Sequence, residues 1–152
     1  MSDTYRIDVA DPSSGTYLGL ISLNQEVTAI ARKAGIPRAL AELLKVRASQ
    51  LNGCAHSMRA CTEDAAKAGE DRARLSVLPA WRRTGLFTPM ERGALGLAEA
   101  ITTLPGQDIP PVVIREARSV LTEQQYIAVT WITMMVNMWN RIAMVSGYPV
   151  EK

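Results

Sequence analysis

The sequence predicts an all-α fold. Apolar residues recur at spacings of three and four rather than two, strand-like alternation is almost absent, and helix starts and stops are marked by capping residues, glycines and prolines. At 152 residues, 47% hydrophobic and 21% charged, the chain suits one domain over residues 1–152, long enough to bury roughly two thirds of its unfolded surface.

The elements follow in order. After an irregular N-terminal arm, the periodicity predicts a first helix over residues 20–34, stopped by Gly35. Pro37 suits the first turn of a second helix reaching Asn52, and Gly53 lies just beyond its end. A third helix is predicted over 54–68, ended by Gly69, and a short one over 71–77. Residues 78–84 form a proline-started turn carrying Trp81, Arg82 and Arg83. Thr88, Pro89 and Glu91 write a capping box with proline at the first helical position, launching a helix to about Thr103. A loop over 104–110 precedes a helix over 111–120. Thr122 and Gln125 then cap a last helix ending near Ser146, before Gly147 and Pro149. That helix contains residues 126–136, a run without a charge and too short to span a bilayer. Its apolar character all round predicts that it threads the monomer and also packs against another copy of the chain.

Composition narrows the function. The formal net charge is +2, and Arg and Lys are interleaved with Asp and Glu, which leaves no basic stripe for a nucleic-acid backbone. The N-terminal MSDTYRIDVADPSSG has no basic leader followed by an apolar core, so a cytoplasmic protein is expected, with no membrane partner. In that compartment two cysteines stay reduced at rest, as buried small residues or redox-active thiols.

Candidate chemistry gathers between Glu42 and Gly69, which hold both cysteines, the single histidine and a first-turn carboxylate. Cys54 opens a helix, where free N–H groups and the macrodipole favour thiolate. Cys54, Ser57, Met58 and Cys61 share one face at i, i+3, i+4 and i+7. Because Gly53 reverses the chain, the hairpin geometry brings Cys61 back toward Glu42. Each residue also has a plain reading: the thiols as small core residues, Glu42 as a carboxylate paired with Lys45 or Lys67, and His56, off the cysteine face, as a hydrogen-bonded structural group. The donors Glu42, Cys54, His56 and Cys61 lack paired metal-ligand spacing, so neither a metal nor a cofactor is expected.

At these residues the sequence resembles the alkylhydroperoxidase D-like branch of the carboxymuconolactone decarboxylase family. Glu42, Leu43, Arg47, Ser49, Gln50, Asn52, Gly53, Cys54, Asp64, Ala65, Ala68, Gly69 and Glu70 fit its motif. Ala80 to Arg82, FTPMERGALGLAEA at 87–100 and NMWNR at 137–141 look like the same family. The resemblance implies an all-α trimer or hexamer and, in active members, a cysteine pair that reduces peroxides while a glutamate and a histidine relay protons. Carried over singly, the first cysteine falls on Cys54, the relay glutamate on Glu42 and a histidine within the motif on His56. Ser57 stands where the family has its second cysteine, and Cys61 where it has its downstream histidine. Serine cannot form a sulfenic acid or a disulfide, so the two-cysteine mechanism cannot run unchanged. Nor is Cys61 a simple replacement, because seven helical residues span about 10 Å while a disulfide needs Cα atoms roughly 4.4 to 6.8 Å apart.

Three readings follow. The first is a thiol peroxidase acting on small organic hydroperoxides, with Cys54 or Cys61 oxidised, Glu42 (with or without His56) moving the proton and an external thiol as reductant. The second is a non-catalytic scaffold. The third is a decarboxylase or lyase acting on a small organic acid, against which the lack of a cationic cluster near the site argues.

Overall fold

The computed structural model describes residues 5–150, and among them there are seven α-helices, two short 3-10 turns and no strand. The helices are α1 (Gly15–Lys33), α2 (Arg38–Asn52), α3 (Ala55–Lys67), α4 (Arg72–Val77), α5 (Pro89–Thr103), α6 (Pro111–Val120) and α7 (Glu123–Ser146). The 3-10 turns cover Leu78–Arg83 and Pro105–Gln107. No helix among the described residues is long and apolar enough to cross a membrane.

The capping residues act as their chemistry dictates. Both capping boxes form reciprocally, Thr88 with Glu91 and Thr122 with Gln125. The first helix starts five residues earlier than predicted, because Ser14 Oγ accepts a hydrogen bond from the Tyr17 amide at 3.1 Å and caps it there. Ahead of it the N-terminal arm lies along the end of α7. Val9 N donates to Ser146 Oγ at 3.1 Å, Tyr148 Oη donates to Asp8 Oδ1 at 2.9 Å, and Arg6 donates to the Met144 carbonyl.

Helix α2 is the centre of the bundle and packs on α3, α5 and α7, while α1 covers α7 from outside and α6 packs on α5. Leu40, Leu43 and Leu44 of α2 meet Leu95 and Leu97 of α5 and Val129 of α7 in a core from which water is excluded. Burying each such side chain is worth about 2 kcal/mol. Gly93 sets the α5–α6 distance, since a Cβ there would lie 2.3 Å from Val120 Cγ2 and 3.5 Å from the Ala117 Cα. Two-sided burial of α7 is only half of what the monomer shows. Ala128, Val129, Ile132, Met135 and Val136 enter the core, whereas Ile127, Trp131, Met134, Met138 and Val145 stay exposed along the opposite face.

Candidate functional site

Gly53 closes α2 in the left-handed conformation at φ 66°, which a side chain resists, and turns the chain straight into α3. Cys54 therefore occupies the N-cap of α3, one residue before the first helical residue, with no acidic side chain in the first turn. Its thiol does not cap the helix. It points inward, 2% exposed, and donates to Ser57 Oγ at 3.2 Å, with the Asn140 carbonyl 3.8 Å away. The Ser57 hydroxyl, being both donor and acceptor, is the nearest polar group to the sulfur.

A buried amide network fixes that pocket against α7. Asn140, fully buried, donates from Nδ2 to Ser49 Oγ at 3.0 Å and accepts on Oδ1 from Asn52 Nδ2 at 2.8 Å. Asn52 Nδ2 also reaches Asn137 Oδ1 at 2.9 Å, and Asn137 Nδ2 donates to Thr102 Oγ1 and the Thr133 carbonyl. The end of α2, the thiol and α7 are thus held in one register.

The α2–α3 hairpin brings Cys61 within electrostatic reach of Glu42 and Lys45, with Ser49 on the same side. Burial pushes the Cys61 thiol from its ordinary 9.0 up to about 11; the Lys45 ammonium pulls it back and Glu42 raises it again. Cys61 is held as a neutral thiol at physiological pH. Glu42 itself is buried and accepts from Lys45 Nζ at 3.0 Å, whereas Lys67 pairs with Asp64 at 3.6 Å. Both free thiols are accounted for: Cys54 is buried and Cys61 half-buried.

His56 is directed elsewhere. Its ring is exposed, its Nδ1 donates to the Pro149 carbonyl at 3.0 Å, and it meets Tyr148 edge-on with ring centroids 5.3 Å apart. It makes no hydrogen bond to Cys54, Ser57, Cys61 or Glu42 among the described residues. No group of three or more His, Cys, Asp or Glu side chains that could hold a metal is gathered there either.

The sequence reading missed the cavity behind Glu42. A space of about 440 Å³ opens between α1, α2 and α7, walled by Val27, Ala31, Ile36, Ile132, Met135 and Val136 and bordered by Glu42, Lys45, Arg32 and Arg38. Cys54 and Cys61 are not on its wall. The expectation that no cationic cluster lies near the site is thereby overturned: three cations share the cavity with one carboxylate. The signal was present in α2, where Arg38, Ala41, Glu42 and Lys45 stand at i, i+3, i+4 and i+7 and so share a face. Arg32 comes to the same opening from α1, a neighbour that only the tertiary fold reveals.

The model of the carboxymuconolactone decarboxylase family matches residues 20–100. The uncharacterized protein YdfG of Bacillus subtilis is 37% identical over 116 residues, which are 76% of this chain and 79% of that protein. The fold is similar to that of ATU0492 from Agrobacterium tumefaciens, a protein of unknown function titled "Putative Antioxidant Defence Protein AhpD". There the TM-score is 0.84 at 26% identity, covering 96% of this chain and 99% of that one. It is also similar to the debrominase Bmp8 in its apo form, with a TM-score of 0.79 at 19% identity over 89% of this chain and 70% of that one, a likeness of fold alone. With the family motif, the helical architecture and these relatives in agreement, the chain belongs to the AhpD-like carboxymuconolactone decarboxylase family.

Proposed function

We propose that the protein is a one-cysteine thiol peroxidase in which Cys54 reduces small organic hydroperoxides. The observation that carries this reading is the Cys54 thiol at the start of α3 with the Ser57 hydroxyl 3.2 Å away, where α3 has no carboxylate in its first turn. Likeness to a structure titled for antioxidant defence supports the same class. The Cys54 thiolate attacks the outer hydroperoxide oxygen, the S–O bond forms as the O–O bond breaks, and the alkoxide leaves as an alcohol after taking a proton. Glu42, which borders Cys61 and the cavity, is assigned the proton relay. An external thiol then displaces water from the sulfenic acid, and a second equivalent reduces the mixed disulfide, returning Cys54 to the thiol. Cys61, held neutral, is the poorer nucleophile, and His56, tied to Pro149, has no step in this cycle.

The test is intact mass and peptide mapping after titration with an organic hydroperoxide. Oxygen addition or an external-thiol adduct at Cys54, lost in Cys54→Ala and kept in Cys61→Ala, is expected. Unmodified Cys54 at stoichiometric oxidant would remove the proposal.

The same reading includes a homo-oligomer, a trimer or hexamer. It is supported by the exposed stripe of Ile127, Trp131, Met134, Met138 and Val145 at helical spacing on α7, an apolar face that water opposes. Light scattering of the wild type beside Trp131→Glu checks it, with a monomeric wild type as the refuting result.

A further inference from the structure

We propose that the α1–α2–α7 cavity is a binding site for an amphipathic monocarboxylate, a ligand with an apolar body and one carboxylate head. The inference goes beyond the thiol chemistry, since neither cysteine lines this space. Its inner wall is made of Val27, Ala31, Ile36, Ile132, Met135 and Val136, each at most 6% exposed. A volume of about 440 Å³ falls within the range of small-molecule sites.

The charged groups are not equivalent. Lys45 is neutralised by Glu42 at 3.0 Å. Arg32 and Arg38, both exposed and both bordering the cavity, have no hydrogen-bond or ion-pair partner among the described residues. They flank the corner between α1 and α2, so two unpaired guanidinium forks stand where an apolar space meets solvent. A guanidinium matches a carboxylate through paired N–H donors. The head group is thereby placed at the opening and the body inside. A ligand with a second anionic group at its far end would bury that charge against apolar walls without a partner, which excludes polycarboxylates. The like charges of Arg32 and Arg38 at the opening, with an apolar wall behind them, disfavour a cationic head.

The experiment is methyl NMR of the full chain, following the Ile132 and Met135 methyl groups during titration with decanoate, and with decylammonium and decanol as controls. No peroxide is present, so its outcome is separate from that of the thiol test. Decanoate is expected to shift both methyl signals saturably, decylammonium and decanol to bind at least tenfold more weakly, and the exposed double variant Arg32→Gln/Arg38→Gln to lose at least tenfold in affinity. Unshifted Ile132 and Met135 signals would overturn the proposal. So would equal binding of the cationic or neutral probe, or unchanged affinity in a double variant whose methyl spectrum remains folded.

Discussion

Asn140 on α7 donates its side-chain amide to Ser49 Oγ on α2 at 3.0 Å, in a position where neither residue touches solvent. The same amide accepts from Asn52, and the Asn140 backbone carbonyl faces Cys54, so one residue sets the back wall of the thiol pocket. Asn140→Ala would leave Ser49 short of its donor and Asn52 short of an acceptor, and would open a small void. Loss of about 2 to 4 kcal/mol is expected in urea unfolding. The void lies beside sulfur, so the Cys54 thiol should also become more reactive toward an alkylating probe.

The raised Cys61 thiol gives a pH signature. The folded state holds this proton up to about pH 11, while the unfolded chain releases it near 9.0. Between those values the unfolded state binds fewer protons than the folded one, so stability contributed by the neutral thiol is complete below 9.0 and is lost as pH rises toward 11. The size is on the order of 2 kcal/mol. Unfolding of wild type and Cys61→Ala compared at pH 8 and pH 11 should show a difference that shrinks in alkali; a constant difference would mean that the thiol does not titrate in this window.

What was legible in the sequence follows the range of each interaction. The boxes at Thr88 and Thr122 are three-residue devices and were readable, as was the Cys54 helix start after Gly53. Ser14 escaped because the two turns it opens hold Gly15 and Gly19, poor helix formers that hide the start. The approach of Cys61 to Glu42 followed from a tight hairpin, but the cavity needs α1, α2 and α7 together, and the acceptor that occupies His56 is Pro149, 93 residues away. Hydrophobic periodicity locates helix faces and does not say which polar side chains meet across them.

Glu99 on α5 ties α2 to the Trp81 turn. It accepts from Arg47 Nε at 2.7 Å, from Trp81 Nε1 at 2.9 Å and from Arg82. Burial acts to raise its pKa, and the bonds from Arg82, Trp81 and Arg47 outweigh it, holding the carboxyl below its ordinary range. This stability is present above the unfolded carboxyl pKa and is lost as pH falls through the lower folded value. Glu99→Gln should cost about 1.5 to 3 kcal/mol at pH 7, with the gap to wild type closing in acid, as read by urea unfolding at pH 7 and pH 3.

Ser57 decides how the thiol cycle closes. Its Oγ already lies 3.2 Å from Cys54 Sγ, and a disulfide needs sulfurs about 2.05 Å apart, so Ser57→Cys asks for a rotamer adjustment at the helix start rather than a refolding of α3. In the wild type, attack on hydroperoxide leaves a sulfenic acid that waits for an external thiol. In the variant the introduced thiol is on the same helical turn, and resolution becomes intramolecular. Non-reducing mass spectrometry should then show loss of two hydrogens through a disulfide between positions 54 and 57 instead of an added oxygen, and turnover with a dithiol reductant should rise by about tenfold or more. If Cys54 in the variant neither couples to position 57 nor takes up oxygen, the start of α3 is not where peroxide reacts, because the one missing partner would have been supplied within a rotamer change of bonding without effect.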